Sequence, residues 1–92
     1  MENMRAHLLI DGKVQGVFFR GFTKELAQGL GLYGWVRNLS DGKVEAVFEG
    51  PRYLIDKAIK ECHAGPPSSR VTDIAVQWEA STGDRKGFLI RY

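Results

Sequence analysis

Apolar and polar positions change their period several times along the chain, and each change marks an element. Ala6, Leu8 and Ile10 alternate with His7 and Leu9, a period of two that predicts a strand over residues 5–11. Beyond the Gly-bearing stretch 12–20 the period lengthens. Phe19, Phe22, Leu26 and Leu30 recur at spacings of three and four, which places them on one face of a helix over residues 21–30. Gly29 and Gly31 punctuate its end, and one of them is expected to take a left-handed cap. A second strand is expected over 34–38. Asp41-Gly42 then marks a hairpin turn, and Val44, Ala46 and Phe48 alternate with Glu45, Val47 and Glu49 in a third strand. Pro51 suits the first turn of a second helix. The apolar stripe of that helix is Leu54, Ile55, Ala58, Ile59 and Cys62. After the loop 65–69, a fourth strand over 71–79 carries Ile74, Val76 and Trp78 on one face. A polar turn over 81–86 leads to a short last strand over 88–92.

The order is β-α-β-β-α-β with an added C-terminal strand. It predicts an α+β, ferredoxin-like sandwich, a mostly antiparallel sheet with two helices on one face. Two right-handed crossovers put the first and third strands in the middle. The whole chain, residues 1–92, reads as one domain.

This topology opens the loop after the first strand at the centre of the sheet, beside the first helix. A strand that breaks at Gly12 and re-enters as a helix leaves backbone N–H groups unpaired, and the positive end of a helix favours an anion. Arg20 stands at the helix start, where a cation is out of place unless an anion lies between it and the helix. Its planar fork matches two phosphate oxygens. No acidic residue occurs from Gly12 to Arg20. The loop is therefore read as a phosphate cradle. Asn38 keeps the parity of Gly34 and Val36 and is expected to face the mouth of the loop. Turn chemistry alone would also account for an Asn here. A neutral amide can orient a water without repelling a phosphate dianion, but it cannot act as a general base.

Composition narrows the chemistry. The net charge is +2, and the 13 Lys and Arg are scattered along the sequence, which argues against a nucleic-acid surface. Only Phe48 on the third strand offers an aromatic ring, with Glu45 and Glu49 beside it to repel phosphates, unlike an RNA-recognition sheet. The single cysteine, Cys62, supports no internal disulfide and fits a reducing cytosol. It lies on an apolar stripe and is expected in the core. His7 and His63 have no metal-ligand spacing, so no metal is expected. No Lys-Ser/Thr pair ends the loop, so it is not a Walker motif. Trp35, Trp78 and Tyr33 are expected to cover the sheet rather than bind a ligand. The N-terminal apolar run is too short for a signal peptide or a membrane span, and nothing demands more than a monomer.

At these residues the chain closely resembles the acylphosphatase family. The motif residues are Ile10-Asp11-Gly12-Lys13-Val14-Gln15-Gly16-Val17-Phe18-Phe19-Arg20 and Gly34-Trp35-Val36-Arg37-Asn38, followed by Gly42, Val44 and Gly50. The Gly65-Pro66-Pro67 loop is also similar. The resemblance implies a cytoplasmic enzyme that hydrolyses acyl phosphates to a carboxylate and phosphate without metal or cofactor. It assigns Arg20 to phosphate binding and Asn38 to the attacking water. The N–H groups of Gln15, Gly16, Val17, Phe18 and Phe19, with Arg20, would then hold the phosphoryl oxygens. The carboxylate of Tyr92 is a further group that could reach Arg20. A non-catalytic phosphate- or ligand-binding regulatory domain on the same scaffold is the alternative reading.

Overall fold

The computed structural model describes residues 2–83 and 85–92. Position 84, inside the predicted polar turn, lies outside the described residues. The elements are β1 (Asn3–Lys13), α1 (Phe19–Leu30), β2 (Tyr33–Asn38), β3 (Val44–Pro51), α2 (Arg52–Ala64), β4 (Arg70–Ala80) and β5 (Phe88–Ile90). They form one five-stranded sheet in the order β4-β1-β3-β2-β5. All neighbouring pairs are antiparallel except β2 with β5. The expected ferredoxin-like sandwich is the observed fold, with β1 and β3 near the middle of the sheet.

The alternation in the sequence becomes burial. Ala6, Leu8 and Ile10 from β1, Val36 from β2, and Val44, Ala46 and Phe48 from β3 face the helices and are closed to solvent. Ile55, Ala58 and Cys62 meet them from α2. On α1 the stripe is rotated from its expected position. Phe19, Thr23 and Ala27 form its buried line, while Phe22, Leu26 and Leu30 flank it half-buried. Small residues allow the helix a close approach, and the Thr23 hydroxyl avoids an unpaired buried donor by donating to the Phe19 carbonyl at 2.8 Å. Val76 shares its face with Ile74 and Trp78 but stays exposed on the edge strand β4. Gly31 takes the left-handed cap with φ 70°. Gly34 permits a close approach within the sheet, because a Cβ there would lie 1.8 Å from the Val47 carbonyl oxygen.

The helix-free face of the sheet corrects one expectation. Glu45 and Glu49 do not stand open. Glu45 is held by His7 and Arg37, and Glu49 by Arg5, Ser81, Thr82 and the Gly83 N–H. Phe48 is fully buried against Phe88, ring centroids 5.6 Å apart, and offers no stacking surface at all.

Candidate active site

The segment between β1 and α1 is pinned from within and open to solvent along its outer side. Val14 and Phe19 anchor its ends in the core, and Val17 packs against the same core. Gly16 (φ 73°) and Phe18 (φ 67°) turn the backbone into the left-handed region. Among the described residues Phe18 is the one non-glycine with positive φ, a costly conformation for an aromatic residue and one that clusters at functional sites. A left-handed residue followed by a helical one gathers N–H groups on one side. Phe18 is the N-cap of α1, which begins at Phe19, two positions earlier than expected, and the Phe18 carbonyl accepts the first helical bond, from Phe22 N–H at 2.9 Å. No side chain caps this end and no acidic residue lies in the first turn. The first N–H groups of α1 are thus left for an external acceptor.

Arg20 sits in that first turn. Among the described residues no carboxylate lies within ion-pair distance of it. Its guanidinium instead lies over the Tyr92 ring, 5.1 Å from the ring centre. The aromatic ring of Tyr92, rather than its carboxylate, is what meets Arg20. Asn38 ends β2 on the helix side of the sheet, as its parity predicted. Its side-chain oxygen is buried and has no hydrogen-bond partner. Such a group is costly to leave unpaired, so it marks a place where a water or ligand atom belongs.

These groups share one cavity of about 240 Å³. Gly16, Phe18, Phe19, Arg20 and Asn38, all expected at the site, line it. Gln15 and Val17 do not. The Gln15 amide turns away and donates to the Leu39 and Lys43 carbonyls at 2.7 and 2.9 Å, and the Val17 side chain faces the core. Val14, Gly21, Ile90 and the ring of Tyr92 complete the lining and were not foreseen. The latter two arrive through β5, which pairs in parallel with β2 and sets Ile90 beside Val36. A three-residue parallel edge strand carries no pairing signal in its sequence.

The other candidates stay outside. Cys62 is buried in the core, where burial, with some help from Glu61 and against a hydrogen bond with Thr23, pushes its thiol up to about 12. His7 belongs to the Glu45 cluster. Among the described residues no group of three or more His, Cys, Asp and Glu is placed to hold a metal.

Backbone N–H groups at an uncapped helix start, an arginine and an asparagine thus meet in one cavity of an α+β sandwich. A family model described as Acylphosphatase matches residues 6–90. The sequence is 57% identical over 91 residues to an acylphosphatase of Pyrobaculum aerophilum, across 98% of this chain and 96% of that one. It is 46% identical over 92 residues to an acylphosphatase of Pelotomaculum thermopropionicum, across the whole of both. The crystal structure of acylphosphatase from Bacillus subtilis superposes with a TM-score of 0.93 at 38% identity, across 97% of this chain and 99% of that one. The chain belongs to the acylphosphatase family.

Proposed function

We propose that this chain hydrolyses acyl phosphates to a carboxylate and inorganic phosphate, with the phosphoryl group held by the loop and Arg20. The observation that carries the reading is the pairing of two unsatisfied groups in one cavity. These are an arginine that, among the described residues, has no carboxylate partner at an uncapped helix start, and a buried asparagine oxygen with no hydrogen-bond partner among them.

The chemistry needs little else. A carboxylate is a good leaving group, so the departing oxygen requires little proton assistance. Phosphoryl transfer depends on positioning and on stabilising charge across the phosphoryl oxygens. In this reading the guanidinium and the N–H groups of Gly16 to Phe19 hold those oxygens as charge redistributes. The Asn38 oxygen accepts a hydrogen bond from a water and aims it at phosphorus, in line with the leaving carboxylate. The P–O bond to water forms as the P–O bond to the acyl oxygen breaks. The water's proton passes to a substrate oxygen, since no side chain at the site is an evident base. Among the described residues no Ser, Cys or His lines the cavity to act as a nucleophile, so attack is taken as direct. The donor set suits an anion rather than a metal, and we propose a metal-independent reaction. No helix among the described residues is long and apolar enough to cross a membrane. A lone buried thiol fits a reducing compartment, and we take the protein to act as a cytoplasmic monomer.

The test is the hydrolysis of benzoyl phosphate by purified protein in excess chelator, with Arg20→Ala alongside. Turnover in chelator, lost together with phosphate inhibition in the folded variant, is the expected result. Phosphate binding at the loop without turnover would return the chain to the non-catalytic binding domain.

A further inference from the structure

The end of β2 is thinly supported for a segment that carries a site residue. β5 pairs with β2 only as far as Val36, whose carbonyl also accepts a bond from the Arg91 N–H at 2.8 Å. Arg37 and Asn38 extend past that edge strand. Among the described residues they pair on one side only, with Glu45 and Val44 of β3. Strand ends held in this way fray unless something else fastens them. The side chain of Asn38 does not fasten itself, since its buried oxygen has no hydrogen-bond partner among the described residues. The aim of that oxygen is therefore set by the backbone beneath it.

The helix-free face of the sheet carries a charged tie at the neighbouring rung. Arg37 donates from Nε to one oxygen of Glu45 at 2.5 Å, and Nε2 of His7 on β1 meets the other oxygen at 2.5 Å. A carboxylate accepts only, so His7 is the donor in that bond. One carboxylate thus links β1, β3 and the end of β2. The Glu45 side chain is only 12% exposed, although no helix covers this face. The Arg37 guanidinium also lies over the Trp35 ring, 5.4 Å from its centre, so it is held on two sides. An ion pair withdrawn from water adds little net stability, and its better use is to fix geometry.

We infer that Arg37, pinned by Glu45 and His7, is a positioning residue that fixes the end of β2 and through it the aim of Asn38. The inference rests on the proposed role of Asn38 in orienting water and extends it to the face of the sheet turned away from the helices. Arg37 touches no reacting atom; it acts through the backbone it shares with Asn38. A matched control lies on the same face. Arg5 and Glu49 also pair between β1 and β3, at 2.9 Å, but opposite Tyr33 at the start of β2 rather than at its end.

The experiment compares Arg37→Gln, Arg37→Lys and Arg5→Gln in two readouts, steady-state hydrolysis of benzoyl phosphate and nitrogen relaxation of the β2 amides. The side chain of Arg37 is half-exposed, so its replacement leaves the core closed. Arg37→Gln is expected to lower kcat roughly five- to twentyfold while inhibition by inorganic phosphate changes less than about twofold, the split that misalignment of the water produces. Its relaxation should show new mobility at Asn38 and not at the start of β2. Arg37→Lys keeps an opposite-charge pair across the strands and should recover most of the lost rate. Arg5→Gln should lower the melting temperature and leave kcat and the Asn38 amide unchanged. An unaltered kcat in Arg37→Gln would overturn the inference. So would an equal fall in Arg5→Gln, a loss of phosphate inhibition as large as the loss of rate, or Arg37→Lys no better than Arg37→Gln. Failure of the parent reading looks different: wild-type protein would not turn over benzoyl phosphate. The relaxation data then decide alone, and an Asn38 amide as rigid in Arg37→Gln as in the wild type would overturn the pin.

Discussion

The side-chain amide of Gln15 donates a 2.7 Å hydrogen bond to the carbonyl of Leu39, the residue that follows Asn38. A second bond, 2.9 Å to the Lys43 carbonyl, closes the bridge across the β2–β3 hairpin. The loop that carries Gly16 and Phe18 is thereby fastened to the strand end that carries Asn38. Phosphate and water must be aligned to a fraction of an ångström for in-line attack. In the proposed mechanism Gln15 would serve that alignment from outside the cavity.

Gln15→Ala should therefore act as a positioning variant. The Leu39 and Lys43 carbonyls each lose one donor but keep a backbone one, from Gly42 and Leu39 N–H, and stability is expected to fall by about 1 kcal/mol. Turnover should drop roughly tenfold or more through misalignment, while inhibition by inorganic phosphate weakens much less. Thermal melts and steady-state kinetics on benzoyl phosphate separate the two effects. A drop in phosphate affinity as large as the drop in turnover would show that Gln15 shapes the cradle itself.

Arg20→Lys tests the fork. An ammonium keeps the charge but offers no planar pair of donors, and it stacks differently on Tyr92. The expected loss in kcat/KM is about 10²-fold, close to the loss in Arg20→Ala, by comparison with removing one oriented donor from a charged transition state. Turnover near the wild-type rate would mean that charge alone suffices.

Much of this arrangement was legible in the sequence because it rests on local signals. Period-two alternation located β1 and β3, and spacings of three and four located both helices. The parity of Gly34, Val36 and Asn38 was enough to aim Asn38 at the cradle. What escaped reading came from contacts between elements distant in sequence. Phe19 is buried as expected, but Thr23 and Ala27 replaced Phe22, Leu26 and Leu30 on the buried line of α1, small side chains taking the positions of closest approach to the sheet. Phe18 entered the left-handed region although bulky residues avoid it, so propensity pointed to a later helix start. Gln15 looked like one more loop donor until the hairpin carbonyls gave its amide other partners. Ile90 and the ring of Tyr92, of which only the carboxylate had been considered, joined the site through a parallel pairing that no pattern of residues announces.

Asn38→Ala separates function from stability. The native side-chain oxygen is buried without a partner, an arrangement that lowers stability unless a water or substrate occupies it. Removing it should cut turnover by about 10²–10³-fold, the scale for losing one oriented polar group. The melting temperature should stay level or rise slightly, as happens when a strained functional group is deleted. Inhibition by phosphate should persist. A variant that melts well below wild type would show that Asn38 holds the hairpin together rather than orienting water.

Glu49 is expected to contribute to the acid sensitivity of the fold. Burial alone would raise its carboxyl, but hydrogen bonds from Thr82, Arg5, Ser81 and the Gly83 N–H outweigh burial and bring it down to about 2. An unfolded Glu titrates near ~4.3, so the unfolded chain binds the proton first as the pH falls. The contribution is therefore fully present above the unfolded value and is lost progressively between about pH 4.5 and 2. Glu45, also lowered because bonds with His7 and Arg37 outweigh burial, adds to the same acid loss. In Glu49→Gln the amide sets an N–H₂ among groups that are themselves donors, at a cost of about 1–3 kcal/mol at neutral pH. The variant's melting temperature should start lower than wild type and fall less steeply through that acid window, so the two curves converge near pH 2. Melting curves at half-unit intervals of pH measure the difference directly. Parallel curves would place the acid sensitivity elsewhere, in Glu45 or in groups that the open face of the sheet does not contain.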